Sequence, residues 1–270
     1  MELPNLEAPL IADNTFSLYD GKVDLFFNPE KHQYRANGEY INGVTTALGI
    51  IDKPQLMYWA VNMALERITK DWTPNKAHDE IYIAESLREA KKAHTAKKVR
   101  AADIGTLAHN WIEAWCNANP LPDPTNRETL NAVNAFKKFI KEHDYKPIIA
   151  ERPVYSQKYK YAGTLDSVAW YEGKLVISDN KTSSGIYESM FAQMGGYHQA
   201  LAEEFPELPI QGHLIINCTK EGDLNTAYSE NTELHKRVYL RALHLWRDYK
   251  ELKEVFKGSK ESYKSYKFTS

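Results

Sequence analysis

The sequence predicts an α/β fold: a mixed central sheet flanked by helices, with extra strands and helices ahead of it. Three observations predict it. Residues 55–69 and 129–143 repeat apolar side chains at helical spacing. Residues 148–178 change to alternation and short apolar runs, as strands do. Turn signals punctuate the chain at Asn37-Gly38, Asn119-Pro120, Pro122-Asp123-Pro124 and Glu172-Gly173.

Residues 23–44 read as short strands, with a hairpin over Tyr34–Ile41 closed by Asn37-Gly38. Asp52-Lys53-Pro54 leads into a helix over 55–69, on which Leu56, Trp59, Ala60, Met63, Ala64 and Arg67 recur. Residues 79–98 predict a strongly charged helix. Asp103 or Thr106 then suits the cap of a separate helix running to Ala118. The helix over 129–143 carries Leu130, Val133, Phe136, Phe139 and Ile140 on one face. Strands follow at 148–156, 161–170 and 175–178, then a helix at 187–205, a strand at 211–218 and a long helix at 233–256. We read 1–270 as one domain, with its core at 103–218, an extension at 1–102 and a helix with a tail at 219–270.

A chain of 270 residues is ample for a buried core. With 43% apolar and 26% charged residues, disorder is expected only in the first dozen residues and in the tail after Lys257. The net charge of -2 gives no global argument for nucleic acid. Two local basic clusters, Lys91/Lys92/Lys97/Lys98/Arg100 and Lys137/Lys138/Lys141, read first as solvated helix faces and second as phosphate contacts. Cys116 and Cys218 lack zinc spacing and cannot ligate an iron–sulfur cluster alone. Free thiols in a reducing compartment are a simpler reading than a disulfide. Neither a signal peptide nor a run of 18 apolar residues is found, so the expectation is a cytoplasmic protein off the membrane.

The chemistry concentrates in Gly163-Thr164-Leu165-Asp166 and Ser178-Asp179-Asn180-Lys181-Thr182. If Glu172-Gly173 is a two-residue hairpin loop, Tyr171 faces Lys174, and counting back along both strands puts Asp166 opposite Asp179. Two facing carboxylates repel, and a bound hard divalent cation such as Mg2+ or Mn2+ reverses that sign. Lys181 follows Asp179 by two residues and so shares its sheet face, where an ammonium can orient water or offset phosphate charge. Asn180 points away, but its backbone carbonyl can still reach the metal. Taken alone, an Asp-x-Lys at a strand end is an ordinary surface ion pair; the in-register Asp166 sets it apart.

At these residues the chain resembles the PD-(D/E)XK nuclease superfamily, in its RecB-type and phage exonuclease branch. Gly163–Asp166 matches that family's Gly-x-x-Asp, and Asp179-Asn180-Lys181-Thr182 its Asp/Glu-x-Lys-Thr. Gly105-Thr106-Leu107-Ala108-His109 matches a helical Gly-Thr-x-x-His whose histidine ligates metal, and Gln193-Met194-Gly195-Gly196-Tyr197 a helical Gln-x-x-x-Tyr. The resemblance covers 103–218, more loosely 27–60, and implies a restriction-endonuclease-like core. It departs at Asn180, where an apolar residue is common, and at Leu165, which leaves no literal Pro-Asp. The cysteine cluster of iron–sulfur relatives is absent, so no such cluster is expected.

The resemblance implies a DNA exonuclease that uses one or two divalent ions. Asp166, Asp179 and Lys181 would be catalytic, and His109, Asp166, Asp179 and Asn180 would hold metal. The alternatives are a structure-specific endonuclease or an inactive DNA-binding module on the same fold. Glu113 shares a helix face with His109 and reads as a support or a surface residue. Glu151 is open between a second-metal ligand, a support for Lys181 and a strand-end ion pair. Gln193 and Tyr197 read as phosphate contacts, as props for the acids, or as ordinary polar positions. Thr182, Ser183 and Ser184 are phosphate donors or loop polarity. Trp111, Trp115, Tyr159 and Tyr161 are core first and base-stacking second. Gly195 and Gly196, costly inside a helix, imply close approach to the sheet, to substrate or to packing. Expected partners are DNA and a recombination or replication protein or a second copy, in the host cytoplasm if the chain is phage-encoded.

Overall fold

The computed structural model describes residues 3–51, 54–71 and 80–258, with side chains for all of these except 54–56, 67, 71, 80–83, 86, 90–102 and 258. It is a mixed α/β structure built on a ten-stranded sheet. Five antiparallel strands open it: β1 (Leu10–Ala12), β2 (Thr15–Leu18), β3 (Val23–Asn28), β4 (Gln33–Ala36) and β5 (Glu39–Gly43). Asn37 and Gly38 both take positive φ between β4 and β5, the two-residue loop expected there. A short helix α1 (Val44–Ala47) follows, then α2 (Pro54–Asp71), α3 (Glu80–Cys116) and α4 (Arg127–Glu142). The second half comprises β6 (Tyr145–Ser156), β7 (Tyr161–Tyr171), β8 (Lys174–Lys181), α5 (Glu188–Glu204), β9 (Gly212–Cys218), β10 (Leu224–Ser229) and α6 (Thr232–Gly258).

The core lies on both faces of β7, β8 and β9. On one face Leu165, Val168, Leu175, Ile177 and Ile215 pack under α1, α5 and α6. On the other, Ala169, Val176, Leu214 and Ile216 pack under α3 and α4 through Trp111, Phe136 and Phe139. The apolar run of β8 is buried on both sides, as a strand between two helical layers must be.

The sheet forks at β7. One edge of β7 is paired along its length with β6. On the other edge Tyr161 and Ala162 pair in parallel with Asn42 and Gly43 of β5, and Ser167–Tyr171 pair antiparallel with β8. Residues 163–166 lie between those two neighbours and pair with neither. The notch therefore coincides with Gly163-Thr164-Leu165-Asp166.

Several expectations need correction. Asp103 and Thr106 do not cap a new helix: α3 runs unbroken from Glu80 to Cys116, because no glycine or proline stop precedes Gly105 and Gly105 is tolerated inside. Leu130 is off the buried face of α4 and exposed. Asn126, not a later residue, caps α4 by accepting the Thr129 N–H at 2.8 Å. The first residues are ordered where they are described. Leu6 is buried, and its carbonyl accepts a hydrogen bond from Arg152 Nε at 2.5 Å. Arg152 Nη2 also pairs with Glu204 at 2.9 Å. β1, β2 and β10 are strands with no counterpart among the elements expected above. The side chains of the Lys91–Arg100 cluster, Leu56 and Arg67, and the tail after residue 258, lie outside the described residues. No helix among the described residues is long and apolar enough to cross a membrane.

Candidate metal centre

The hairpin between β7 and β8 sets the site. Glu172 and Gly173 take positive φ, as a two-residue loop demands. Tyr171 consequently faces Lys174, and the expected register runs down to Ser167 opposite Ser178. That last rung is a buried polar knot: the two hydroxyls lie 2.5 Å apart, and the Tyr145 hydroxyl meets both at 2.8 Å. Asp166 and Asp179 are the next residues on each strand, just beyond the last rung. They are joined indirectly, the Asn180 N–H donating to Asp166 Oδ2 at 2.7 Å. Each acid then turns to its own partner, Asp166 to His109 and Asp179 to Lys181.

His109 comes from α3, which packs on the opposite side of the notch from α5. Its Nε2 lies 2.8 Å from Asp166 Oδ2 and its Nδ1 3.2 Å from Glu151 Oε1. Ligand atoms of His109, Glu151 and Asp166 all fall within 4.8 Å of one another. Glu151 reaches this set from β6 through a backbone with φ of 49°, a left-handed conformation that a glutamate rarely adopts. Cases of this kind concentrate where surrounding structure holds a functional side chain in place.

The compact set differs from the expected one. Glu151 belongs to it, while Asp179 stands outside that 4.8 Å group. Past Ser178 the β7–β8 ladder has ended, while the pairing of β8 with β9, begun at Val176, continues to Lys181 and places Asp179 beside Ile215. Asn180 meets the cluster through its N–H. Glu113 stays out of the set, and its charge helps to raise Glu151 and Cys116.

Electrostatics follow from burial and pairing. Burial alone would raise the Asp166 pKa, but the adjacent His109 charge and hydrogen bond, with Lys181 and the Asn180 N–H, hold it below the usual carboxylate value. Asp166 in turn pushes the His109 imidazole up to about 11, against the effect of its burial. Asp179 is 1% exposed, and desolvation pushes it up to about 6 despite the Lys181 ammonium 2.6 Å away. Burial would lower Lys181, yet the charges of Asp179 and Asp166 outweigh it and keep the amine protonated. Asp179 Oδ1 is buried with no hydrogen-bond partner among the described residues. A buried carboxylate oxygen without a donor is costly unless something cationic meets it.

The four glycines in the motifs serve close packing, Gly196 against the Tyr239 ring. A Cβ on Gly163 would lie 2.6 Å from Tyr197 Cε1, so the α5 tyrosine rests directly on the notch strand. A Cβ on Gly105 would lie 3.1 Å from Thr182 Oγ1, which ties α3 to the end of β8. A Cβ on Gly195 would sit 2.3 Å from the His235 carbonyl carbon and oxygen, so that glycine serves the α5–α6 crossing and not the sheet or substrate. Gln193 Nε2 donates to the Tyr197 hydroxyl at 2.8 Å. Ser183 is occupied within its own loop, donating to Gly185 O at 2.7 Å and accepting from Asn217 at its carbonyl. Trp111 and Tyr161 are core residues. Lys137 lies over the Trp111 ring, and Lys138 pairs with Glu142.

A cleft of about 300 Å³ opens over the notch. Glu151, Asp166, Gly163, Thr164, Gln193 and Tyr197 line it, with Phe27, His32, Tyr34 and the β5–α1 junction. The part of this lining from β3, β4 and β5 is not legible in the sequence, because it depends on β5 pairing with β7 some 120 residues away, which no local pattern encodes. No protein-family model and no curated protein matches the chain.

Proposed function

We propose that this chain is a divalent-metal-dependent deoxyribonuclease of the PD-(D/E)XK type with a restriction-endonuclease-like core, acting as an exonuclease. The observation that carries the reading is the convergence, at the fork of β7 and β8, of His109, Glu151 and Asp166 within 4.8 Å with the buried Asp179–Lys181 pair alongside. The donor set suits a hard cation: two carboxylates and an imidazole in contact, and the buried, unpartnered Asp179 Oδ1 beside them. Glu151, Asp166 and His109 would hold Mg2+ or Mn2+, with Asp179 completing the set. Bound there, such an ion supplies Lewis acidity toward a phosphate and lowers the pKa of water.

The chain's own groups do the rest. The Lys181 ammonium, kept protonated by Asp179 and Asp166, offsets charge growing on phosphate oxygens. The Asn180 N–H fixes the rotamer of Asp166 by binding Oδ2. Gln193 and Tyr197, hydrogen-bonded to each other on the cleft wall, present polar groups to the backbone of a bound strand. The test is cleavage of end-labelled linear and closed circular DNA with magnesium, manganese or EDTA. Metal-dependent loss of label from linear DNA alone supports an exonuclease. Cutting of the circle moves the reading to an endonuclease. Undiminished cleavage by Asp179→Ala removes the site.

A further inference from the structure

The wall that β3 and β4 add to the cleft has a chemistry of its own. Phe27 and Tyr34 stack at 4.7 Å between ring centroids, 30° apart in plane. His32 stands edge-on to Phe27 at 5.4 Å and is exposed, while Phe27 is half-buried. Tyr34 is anchored across the cleft, its hydroxyl bonded to Thr164 Oγ1 at 3.2 Å. The aromatic pair is thus tied to the very strand that carries Asp166, two residues on. His32 also holds a positive φ of 48°, which places its ring at the cleft mouth rather than in a regular strand.

Glu151 and Asp166 line the same cleft, and their charge repels a phosphate that has no counterion. A neutral, flat group is what the Phe27–His32 side accommodates. We infer that Phe27 and His32 form a stacking subsite for the base of the nucleotide next to the acidic cluster. This inference rests on the nuclease reading above and assigns the β3–β4 hairpin to substrate binding. A base within a duplex has both faces covered, so the subsite takes one that is unpaired or frayed. Aromatic contacts of this kind hold single strands without regard to sequence, because every base has a π-face. The cleft's volume, at the lower end of ligand pockets, suits one such group.

The experiment is equilibrium binding of a short unpaired oligodeoxynucleotide bearing 2-aminopurine at its terminal nucleotide, with calcium in place of magnesium, beside the cleavage assay. The intact chain should bind it and quench the fluorophore. His32→Ala and Phe27→Leu should restore fluorescence and weaken binding about tenfold, as loss of one stacked base does. A strand abasic at that nucleotide should lose affinity for the intact chain and lose none further with His32→Ala. Because His32 is exposed, its variant decides the matter even if Phe27→Leu folds poorly. Equal quenching and affinity in all three proteins, or no binding by the intact chain, overturns the subsite. If the chain cuts DNA but these variants behave as wild type, the subsite falls and the nuclease reading stands. If it binds and quenches but never cuts, the reverse holds.

Discussion

Gly163 and Tyr197 are in direct contact across the notch, with no room for a methyl group between strand and ring. Tyr197 cannot swing freely, since its hydroxyl accepts from Gln193 and its ring also borders Val44, itself 3.0 Å from a Cβ on Gly163. Gly163→Ala should therefore cost about 1–3 kcal/mol by overpacking. It should lower the melting temperature by several degrees and cut activity more than Gly49→Ala, a site with open space around it. Equal melting temperatures for the two variants would count against the contact.

Asp179→Asn should separate stability from catalysis. The carboxylate is buried with one oxygen unpartnered and Lys181 at the other, so the amide removes a charge the interior solvates poorly, while Lys181 keeps the charge of Asp166. In EDTA the variant should melt at or above the wild-type temperature while cleavage is lost. Lys181→Met should do the opposite to stability, leaving Asp179 without its cation and costing about 3–5 kcal/mol. A thermal melt of both variants decides it; marked destabilisation by Asp179→Asn would show that the pair holds the fold.

Metal should stabilise the folded chain by mass action. Millimolar magnesium or manganese is expected to raise the melting temperature of the wild type, since only the folded state assembles His109, Glu151 and Asp166. Asp166→Asn, which also loses its ionic contact with His109, should abolish the shift. A shift that survives in Asp166→Asn would place the ion elsewhere.

A separate histidine chain sets an acid limit. His198 on α5 meets His213 on β9 at 3.1 Å, and His213 meets His235 on α6 at 2.9 Å. Ser229 ends the chain 3.3 Å from His235. Neutral rings with one N–H each satisfy every contact in either direction, and a charge on any of these buried rings forfeits the solvation of water. Burial lowers His213 to about 2 and His198 to about 4, and lowers His235 too, with Lys236 adding to the first two. A folded-state pKa below the unfolded value of about 6.5 means the unfolded chain takes up protons first. Stability is then full above about pH 6.5 and falls as pH drops from there toward 4. Urea midpoints between pH 5 and 8 measure this, and His213→Asn should flatten the slope.

How much of this was legible in the sequence follows from the range of each interaction. The β7–β8 register could be counted from Glu172-Gly173, because a two-residue loop fixes every rung behind it. Periodicity revealed α4 and α5, and the motif spacing pointed to His109, Asp166 and Asp179. The fork could not be read. It arises because β5 joins β7 at Tyr161 and Ala162, a parallel pairing between distant segments, and Asp179 lies past the end of the β7–β8 ladder. The role of Glu151 is not legible in the sequence, because its left-handed backbone aims it at His109 and nothing local in Ala150-Glu151-Arg152 announces that conformation. The α3 break was expected from capping chemistry at Asp103 and Thr106. No glycine or proline ahead of Gly105 stops the preceding helix, so α3 runs through.

Arg152 takes a hydrogen-bond acceptor from Leu6, near the amino end, and a counter-charge from Glu204, far along the chain. It sits one residue from Glu151, so the opening segment acts as a splint for an acidic group it never touches. An affinity tag fused ahead of Leu3 leaves that splint in place. Trimming past Leu6 strips a guanidinium of its acceptor in a spot that water does not reach, and the first casualty would be the aim of the neighbouring glutamate.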